Sequence, residues 1–409
     1  MKLLWIGISV NNEIKEDLLR YHAKFLSGAV SEAALLSGFD TLGYTNLDTL
    51  NSYRYPVHPQ GPRFVERKEW SRNGTSCDIN VAYRNGKYTR LLSRKRALCR
   101  EAACWAKKIP DDEEVTVFIY SMHSPFLAAA KTIKKIHPKT TIALLVLDLP
   151  QFMDLHMSPV KKVLKKIDWQ SIRRLMKTVD KYILYSRHMA DFLKLKDGTW
   201  TVMEGSFDPS LLIENTPKEA TDKISVMYSG VLDTRMGIPA LLDAFSLLGE
   251  NYELWLTGSG NAVPLIEERA KTDPRIRFFG FLPSRHDLLK KQHEATMLIS
   301  TRNPEEMASV YCFPSKLFEY MVSGNPVLST RILGIPEEYF EHLVVLEDLS
   351  PATLKEAIER VANMPAAERE AFGRAAADFI IENKNSTAQA RHILDFLDLL
   401  KYVFIRHTL

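Results

Sequence analysis

"FPSKLFEYMVSGNPVLSTR", residues 313–331, reads as a short helix running into a buried strand. Ser315 is a good N-cap type after Pro314, Gly324 supplies a C-terminal stop, and Pro326 forbids continuation. "PVLST" then has the unbroken apolar character of a strand covered on both faces. Glu319 lies one turn inside the helix, four residues after Ser315 and on the same face. A capping-box carboxylate would stand at 318, which is Phe. Capping therefore does not explain Glu319, and a carboxylate beside a helix N-terminus asks for another reason.

The same alternation runs through all 409 residues. Apolar strand-like runs are "KLLWIGIS" (2–9), "CDINVAY" (77–83), "VTVFIYS" (115–121), "TIALLVLD" (141–148) and "DKYILYS" (180–186). They resume with "ISVMYSG" (224–230), "YELWLTGSG" (252–260), "RIRFFGF" (275–281), "ATMLIS" (295–300), "NPVLST" (325–330) and "HLVVLED" (342–348). Continuous apolar strands separated by helices predict parallel sheets, an α/β class. The polar stretch "FDPSLLIENTPKEATDK" (207–223) interrupts the series and reads as a linker. Two Rossmann-like domains are expected, 1–208 and 209–385, facing across a cleft at the carboxyl ends of their strands. The terminal helical pattern, about 386–409, is expected to cross back to the first domain.

Charged residues make up 25% of the chain and apolar ones 45%, which places it among soluble globular proteins. "MKLLWIGIS" is too short for a signal peptide or membrane span, and the four cysteines form no metal-like pairs, so a reduced cytoplasmic setting is expected. The net charge of +4 is unevenly spread. Residues 1–208 carry 33 Lys+Arg against 22 Asp+Glu, and the remainder 21 against 28. A basic first half and an acidic second half suggest different partners.

Several positions carry candidate chemistry. "TGSGN" after strand 252–257 has Gly258 and Gly260 around Ser259, a turn where backbone can approach a phosphate, or an ordinary strand-to-helix turn. "YSGVLDTRMGI" ends a strand at Gly230 and sets Arg235 in the following loop, as suits a diphosphate; a solvated loop arginine is the alternative. His123 follows strand 115–121 and Asp148 ends strand 141–148, both where a cleft would lie; a structural histidine and a helix-capping aspartate are the bland readings. No Asp-x-Asp metal clamp occurs, so a bound diphosphate would be neutralised by cations and helix dipoles, with no metal or other cofactor. "PVKKVLKKIDWQSIRRLMKTVDKY" (159–182) is basic and amphipathic. It is either a surface helix on its own sheet or a segment that docks on an anionic membrane surface. No nucleic-acid-binding motif accompanies the charge.

Taken together, "YSGVLDTRMGI", "LWLTGSGN", "IRFFGFLP" and "FPSKLFEYMVSGNPV" resemble the C-terminal, nucleotide-sugar-binding domain of GT-B glycosyltransferases of family 4, the large retaining family. "DLPQFM" and "YILYSRHMADFL" resemble its bacterial polysaccharide-building branch. The resemblance implies a retaining, metal-independent hexosyltransferase-type transfer from a nucleoside-diphosphate sugar to a glycan or lipid-linked acceptor, with no nucleic acid involved. It implies a cytoplasmic protein, peripheral at the inner face of the plasma membrane. It assigns the ribose hydroxyls to Glu319 and the donor to Gly7, Gly230, Ser259, Phe281, Tyr311, Phe313, Pro314 and Ser315. His123, Arg235 and Lys316 become the catalytic candidates, and Asp148 is assigned to the acceptor. Tyr311 stands where the family has its first Glu, with Glu305 and Glu306 close by, and Val231 and Met236 stand where it has its usual Arg and Lys. A non-catalytic nucleotide-sugar-binding or scaffold subunit on the same fold is the alternative.

Overall fold

The structure is a computed structural model and describes residues 1–21, 26–152, 159–213, 222–282 and 284–402. The chain forms two compact units, Met1–Ser206 together with the chain from Ser386 onward, and Phe207–Asn385.

In the first unit the strands are β1 (Lys2–Gly7), β2 (Asp48–Asn51), β3 (Lys68–Trp70), β4 (Asp78–Asn80), β5 (Val115–Tyr120), β6 (Thr141–Val146), β7 (Lys181–Leu184) and β8 (Trp200–Val202). They form one sheet in the order β8-β7-β6-β5-β1-β2-β4-β3, parallel except at β3. The helices are α1 (Asn12–Arg20), α2 (Leu26–Thr41), α3 (Arg90–Ala106), α4 (Ser124–Ile136), α5 (Pro159–Met176) and α6 (His188–Leu193). Strand order runs one way from β1 through α2 and the other way from β5 through α4. Right-handed crossovers therefore put α2 and α4 on opposite faces. Both faces being covered, β5 is buried along its whole length.

The second unit contains β9 (Ile224–Val231), β10 (Tyr252–Ser259), β11 (Ile276–Phe278), β12 (Met297–Ser300), β13 (Val327–Thr330) and β14 (Val344–Leu346). Its helices are α7 (Ile238–Phe245), α8 (Val263–Thr272), α9 (Arg285–Glu294), α10 (Met307–Tyr311), α11 (Lys316–Val322), α12 (Pro351–Ala362) and α13 (Ala366–Asn383). The sheet is fully parallel, β11-β10-β9-β12-β13-β14. Along β12, Met297 and Ile299 join the core with α7 and α12, while Leu298 joins the core with α11 and α13. That two-residue alternation is a sheet sandwiched between helical layers.

The terminal helix α14 (Ser386–Phe396) packs on α2, where Ala390, Ile393 and Leu394 meet Leu35, Leu36 and Phe39. Gly38 permits the approach: a Cβ there would lie 2.1 Å from the Ser386 carbonyl oxygen. The helix is shorter than the pattern 384–407 suggested, and residues 403–409 lie outside the described residues. The expected linker 207–223 starts differently from its sequence reading. Phe207 is buried in the core of the second unit with Phe313 and Tyr339, while 214–221 lie outside the described residues.

Candidate functional site

In a doubly wound sheet the ligand crevice opens where strand order reverses. For the second unit that point lies between β9 and β12, at Gly230 and at the exit of Ser300. The glycines here pack backbone on backbone. Gly258, at φ +137°, would set a Cβ 1.8 Å from the Gly230 carbonyl oxygen, and Gly260 one 2.0 Å from that of Leu232. Gly237, at φ +76°, lets the start of α7 close on Thr301, whose hydroxyl donates to the Met236 carbonyl at 2.6 Å. The β9 exit, the "TGSGN" turn and the start of α7 thus form one rigid lip that exposes Gly230 and Ser259.

Helix α11 is locked against this lip by Tyr320. Its hydroxyl accepts from Ser229 N at 2.7 Å and donates to the Ser229 carbonyl at 2.9 Å. Gln292 donates to the Ser229 hydroxyl at 2.9 Å, so α9 joins the same knot. Ser315 does not cap the helix as its sequence suggested. Its backbone is already helical at φ −54°, ψ −22°, and its side chain makes no cap hydrogen bond. The first turn closes instead through the Pro314 carbonyl, which accepts from Leu317 N at 2.9 Å. Pro314 is buried, and the Phe313 ring packs at a tilt against Phe318 and Tyr339 in the core.

Lys316 begins α11 with its Nζ 3.7 Å from the centroid of the Tyr228 ring. Burial pushes this amine down to about 7, and the charge of Arg302 adds to the shift. Arg302 leaves the end of β12, where its Nε donates to the Ser309 hydroxyl at 3.2 Å. Arg235 is differently placed. Its Nε and Nη2 clasp the two carboxylate oxygens of Asp233 at 2.9 and 3.0 Å. That pairing holds the Asp233 carboxyl at about 2. Glu319 faces Arg285 of α9, Nη2 to Oε1 at 2.8 Å, and both remain partly exposed. Phe281 is 69% exposed beside α9, an unusual exposure for a large apolar ring. Tyr311 ends α10.

The reversal point of the first unit lies between β1 and β5. A Cβ on Gly7 would lie 1.7 Å from Glu32 Oε1, so the glycine makes room for a side chain of its own domain. Glu32 is fully buried and accepts from Trp5 Nε1 at 2.6 Å and from Ile8 N at 2.8 Å. Burial outweighs these donors and pushes its carboxyl up to about 8. Ser121, at φ +91°, turns the chain after β5 and delivers His123 to the N-terminus of α4. Arg54 Nη2 lies 3.0 Å from His123 Nε2. Burial, together with Arg54 and Arg94, keeps the imidazole well below its usual range. Asp148 is exposed past the end of β6, near Tyr185 and Tyr120.

The structure therefore gathers Gly230, Ser259, Lys316 and Glu319 at one sheet edge, and Gly7, His123 and Asp148 at the other. Sequence reading missed Arg302, Arg285, Glu32, Arg54 and Arg94. Arg302 was accessible in principle, being two residues past an apolar strand. Among the described residues no group of His, Cys, Asp and Glu could hold a metal ion, and no helix is long and apolar enough to cross a membrane.

Residues 223–364 match the family model described as Glycosyl transferases group 1. No curated protein sequence matches the chain. Solved structures share its fold along nearly the whole length. Anabaena HepE in complex with UDP aligns with TM-score 0.63 at 12% identity, covering 97% of this chain and 100% of that one. The α,α-trehalose 6-phosphate synthase of Burkholderia multivorans gives 0.62 at 13%, with 99% and 98% covered. The lipopolysaccharide outer core galactosyltransferase WaaB gives 0.61 at 13%, with 97% and 99% covered. The chain has the GT-B fold, two Rossmann-like units, and the stretch that resembles the group 1 glycosyl transferases lies within its second unit.

Proposed function

We propose that this protein is a retaining glycosyltransferase that moves a sugar from a nucleoside-diphosphate sugar to an acceptor hydroxyl, with a lipid-linked glycan of surface polysaccharide synthesis as acceptor. The observation that carries this reading is the second-unit edge, where Lys316 begins α11 in the field of Arg302, and Glu319 of the same helix pairs with Arg285, beside a backbone lip of glycines. A carboxylate accepts two neighbouring ribose hydroxyls. The lysine and arginine neutralise a diphosphate, whose charge grows as it departs. HepE was solved with UDP, and WaaB is named a lipopolysaccharide galactosyltransferase, which supports a nucleotide-linked donor and a surface-glycan acceptor.

The test is release of free UDP from UDP-sugars, with and without a lipid-diphosphate-linked glycan. Acceptor-dependent release that survives EDTA supports the reading. Absence of release across nucleotide sugars, despite UDP binding, favours the non-catalytic binding subunit, which Tyr311 at the position of the family's first Glu keeps in view.

The membrane part of the reading rests on α5. Ile172 and Leu175 are buried against the first unit, whereas Val163, Leu164 and Ile167 stand 59%, 52% and 59% exposed. Lys162 and Lys166 flank them, exposed as well; the side chain of Lys161 lies outside the described residues. The apolar stripe is thus divided, its second half serving the core and its first half turned to solvent among cations. Such a face suits an anionic bilayer, with about 1 kcal/mol per basic residue near the surface. Salt-sensitive flotation with anionic vesicles, lost in a Lys162, Lys165, Lys166→Gln variant, checks it; no flotation at low salt sinks it.

A further inference from the structure

We propose that Glu32 is a positioning residue for the turn after β1: its ionised carboxylate holds residues 8–9 as the structure shows them, and its protonated form releases one of their N–H groups. A consequence for turnover rests on the glycosyl-transfer reading; the movement of the turn does not.

Glu32 comes from α2 and lies against the backbone of Gly7, fully buried. Its Oε1 accepts from Trp5 Nε1 at 2.6 Å and from Ile8 N at 3.1 Å, and its Oε2 accepts from Ile8 N at 2.8 Å. The Ser9 N–H lies beside them and also favours the charged form. Among the described residues every hydrogen-bond partner of Glu32 is thus an N–H donor. An ionised carboxylate only accepts, whereas a protonated one carries an O–H that asks for an acceptor. A proton on either oxygen meets a hydrogen already pointing there. The arrangement described is therefore that of the carboxylate, and protonation displaces a donor, because a buried polar hydrogen is costly to leave unpaired.

The turn depends on this one side chain. Among the described residues Ile8, Ser9 and Val10 make no other hydrogen bond. Asn11 follows, and its Oδ1 accepts from Ile14 N at 2.8 Å, so a shift of the turn passes to the start of α1. The other ionisable groups in this field are Tyr120 of β5, whose hydroxyl donates to the Gly28 carbonyl at 3.1 Å, and Tyr185 past β7, with Asp148 and Glu204 beside the tyrosines. Burial raises both phenols, which stay neutral. No basic side chain contacts Glu32. Burial opposes its charge, the N–H donors support it, and the balance sets the change at about 8.

The experiment uses the full chain labelled with ¹⁵N-tryptophan. The Trp5 indole N–H, identified by its loss in Trp5→Phe, reports the Glu32 contact. Its chemical shift is expected to follow one step centred at about 8 as pH rises. Hydrogen exchange, scaled to the intrinsic rate at each pH, should show Ile8 and Ser9 protected roughly tenfold more above the step than below it. Glu32→Gln keeps the shape and cannot ionise, so both steps should vanish, and thermal unfolding confirms that it folds. If that variant fails to fold, the two wild-type steps decide. A flat Trp5 signal, a Trp5 step without a change in protection at residues 8–9, or a step that survives in Glu32→Gln overturns the proposal. Release of UDP from UDP-sugars should step at the same pH and lose that step in Glu32→Gln; a profile without it overturns the link to turnover. Both structural steps in a chain that turns over no sugar nucleotide would reject glycosyl transfer and leave the positioning role standing.

Discussion

The two sheets reverse strand order at equivalent places, and each closes that point differently. In the first unit the turn after β1 is filled by the side chain of Glu32, lodged over Gly7. In the second, Gly258 and Gly260 close directly on the Gly230 and Leu232 carbonyls. One edge is built from a titratable group and arginines, the other from backbone. A backbone lip suits a ligand with a constant phosphate part, and a side-chain edge suits a ligand that varies. The contrast also says where each edge should break.

The largest effect is expected at Gly258. An alanine there meets a fixed carbonyl and must hold φ near +137°, at a cost of roughly 4 kcal/mol or more. Gly7→Ala collides with the end of a side chain and should cost less. Urea unfolding ranks them, and the reverse order would break the contrast.

Glu32 comes next. Its carboxyl is raised from 4.5 to about 8 in the folded chain. The folded state therefore binds more protons than the unfolded state between those values. Its contribution is fully present below pH 4.5 and is lost as pH rises towards 8, on the order of 5 kcal/mol across the window. Glu32→Gln should flatten that part of the stability profile. An unchanged slope between pH 5 and 8 would show that the N–H donors, not burial, govern this group.

Glu319→Ala should fold normally and lose roughly 2–4 kcal/mol of nucleotide-sugar affinity by calorimetry, with Arg285→Ala losing less. Unchanged affinity would remove the ribose role. The smallest effect is expected at Arg235, whose charge Asp233 already neutralises. Arg235→Ala should change turnover less than twofold, roughly within 0.5 kcal/mol, while Lys316→Ala and Arg302→Ala lower it about tenfold or more each. Comparable losses at all three would mean that the Asp233 pair opens on binding.

Periodicity made the second sheet readable. Each of its strands contains an apolar run, and glycines at the exits of β9 and β10 carry the turns. It hid three of the eight strands of the first sheet, β2, β3 and β8. β2 is "DTLN", with Thr49 and Asn51 fully buried. These polar groups serve each other: Thr49 donates to Asp78 at 2.8 Å, and Asn51 donates to Thr49 at 2.6 Å. No hydrophobic pattern announces a strand held that way. Among the charged residues, Glu319 stood out because it violated a local rule; the structure pairs it with Arg285. Arg285 and Arg54 did not, because their partners lie 34 and 69 positions away and only the fold brings them together. The pairing of Arg235 was hidden for the converse reason: its partner, Asp233, is two residues off in the same stretch and was read as loop.

The return of α14 to α2 makes the second unit an uninterrupted insert within the first. Its ends meet each other, Phe207 N donating to the Lys384 carbonyl at 2.8 Å and Phe207 pairing with Asn385. Its termini lie side by side, so residues 207–385 form a cassette. Exchanging it would replace one unit without asking the other to refold.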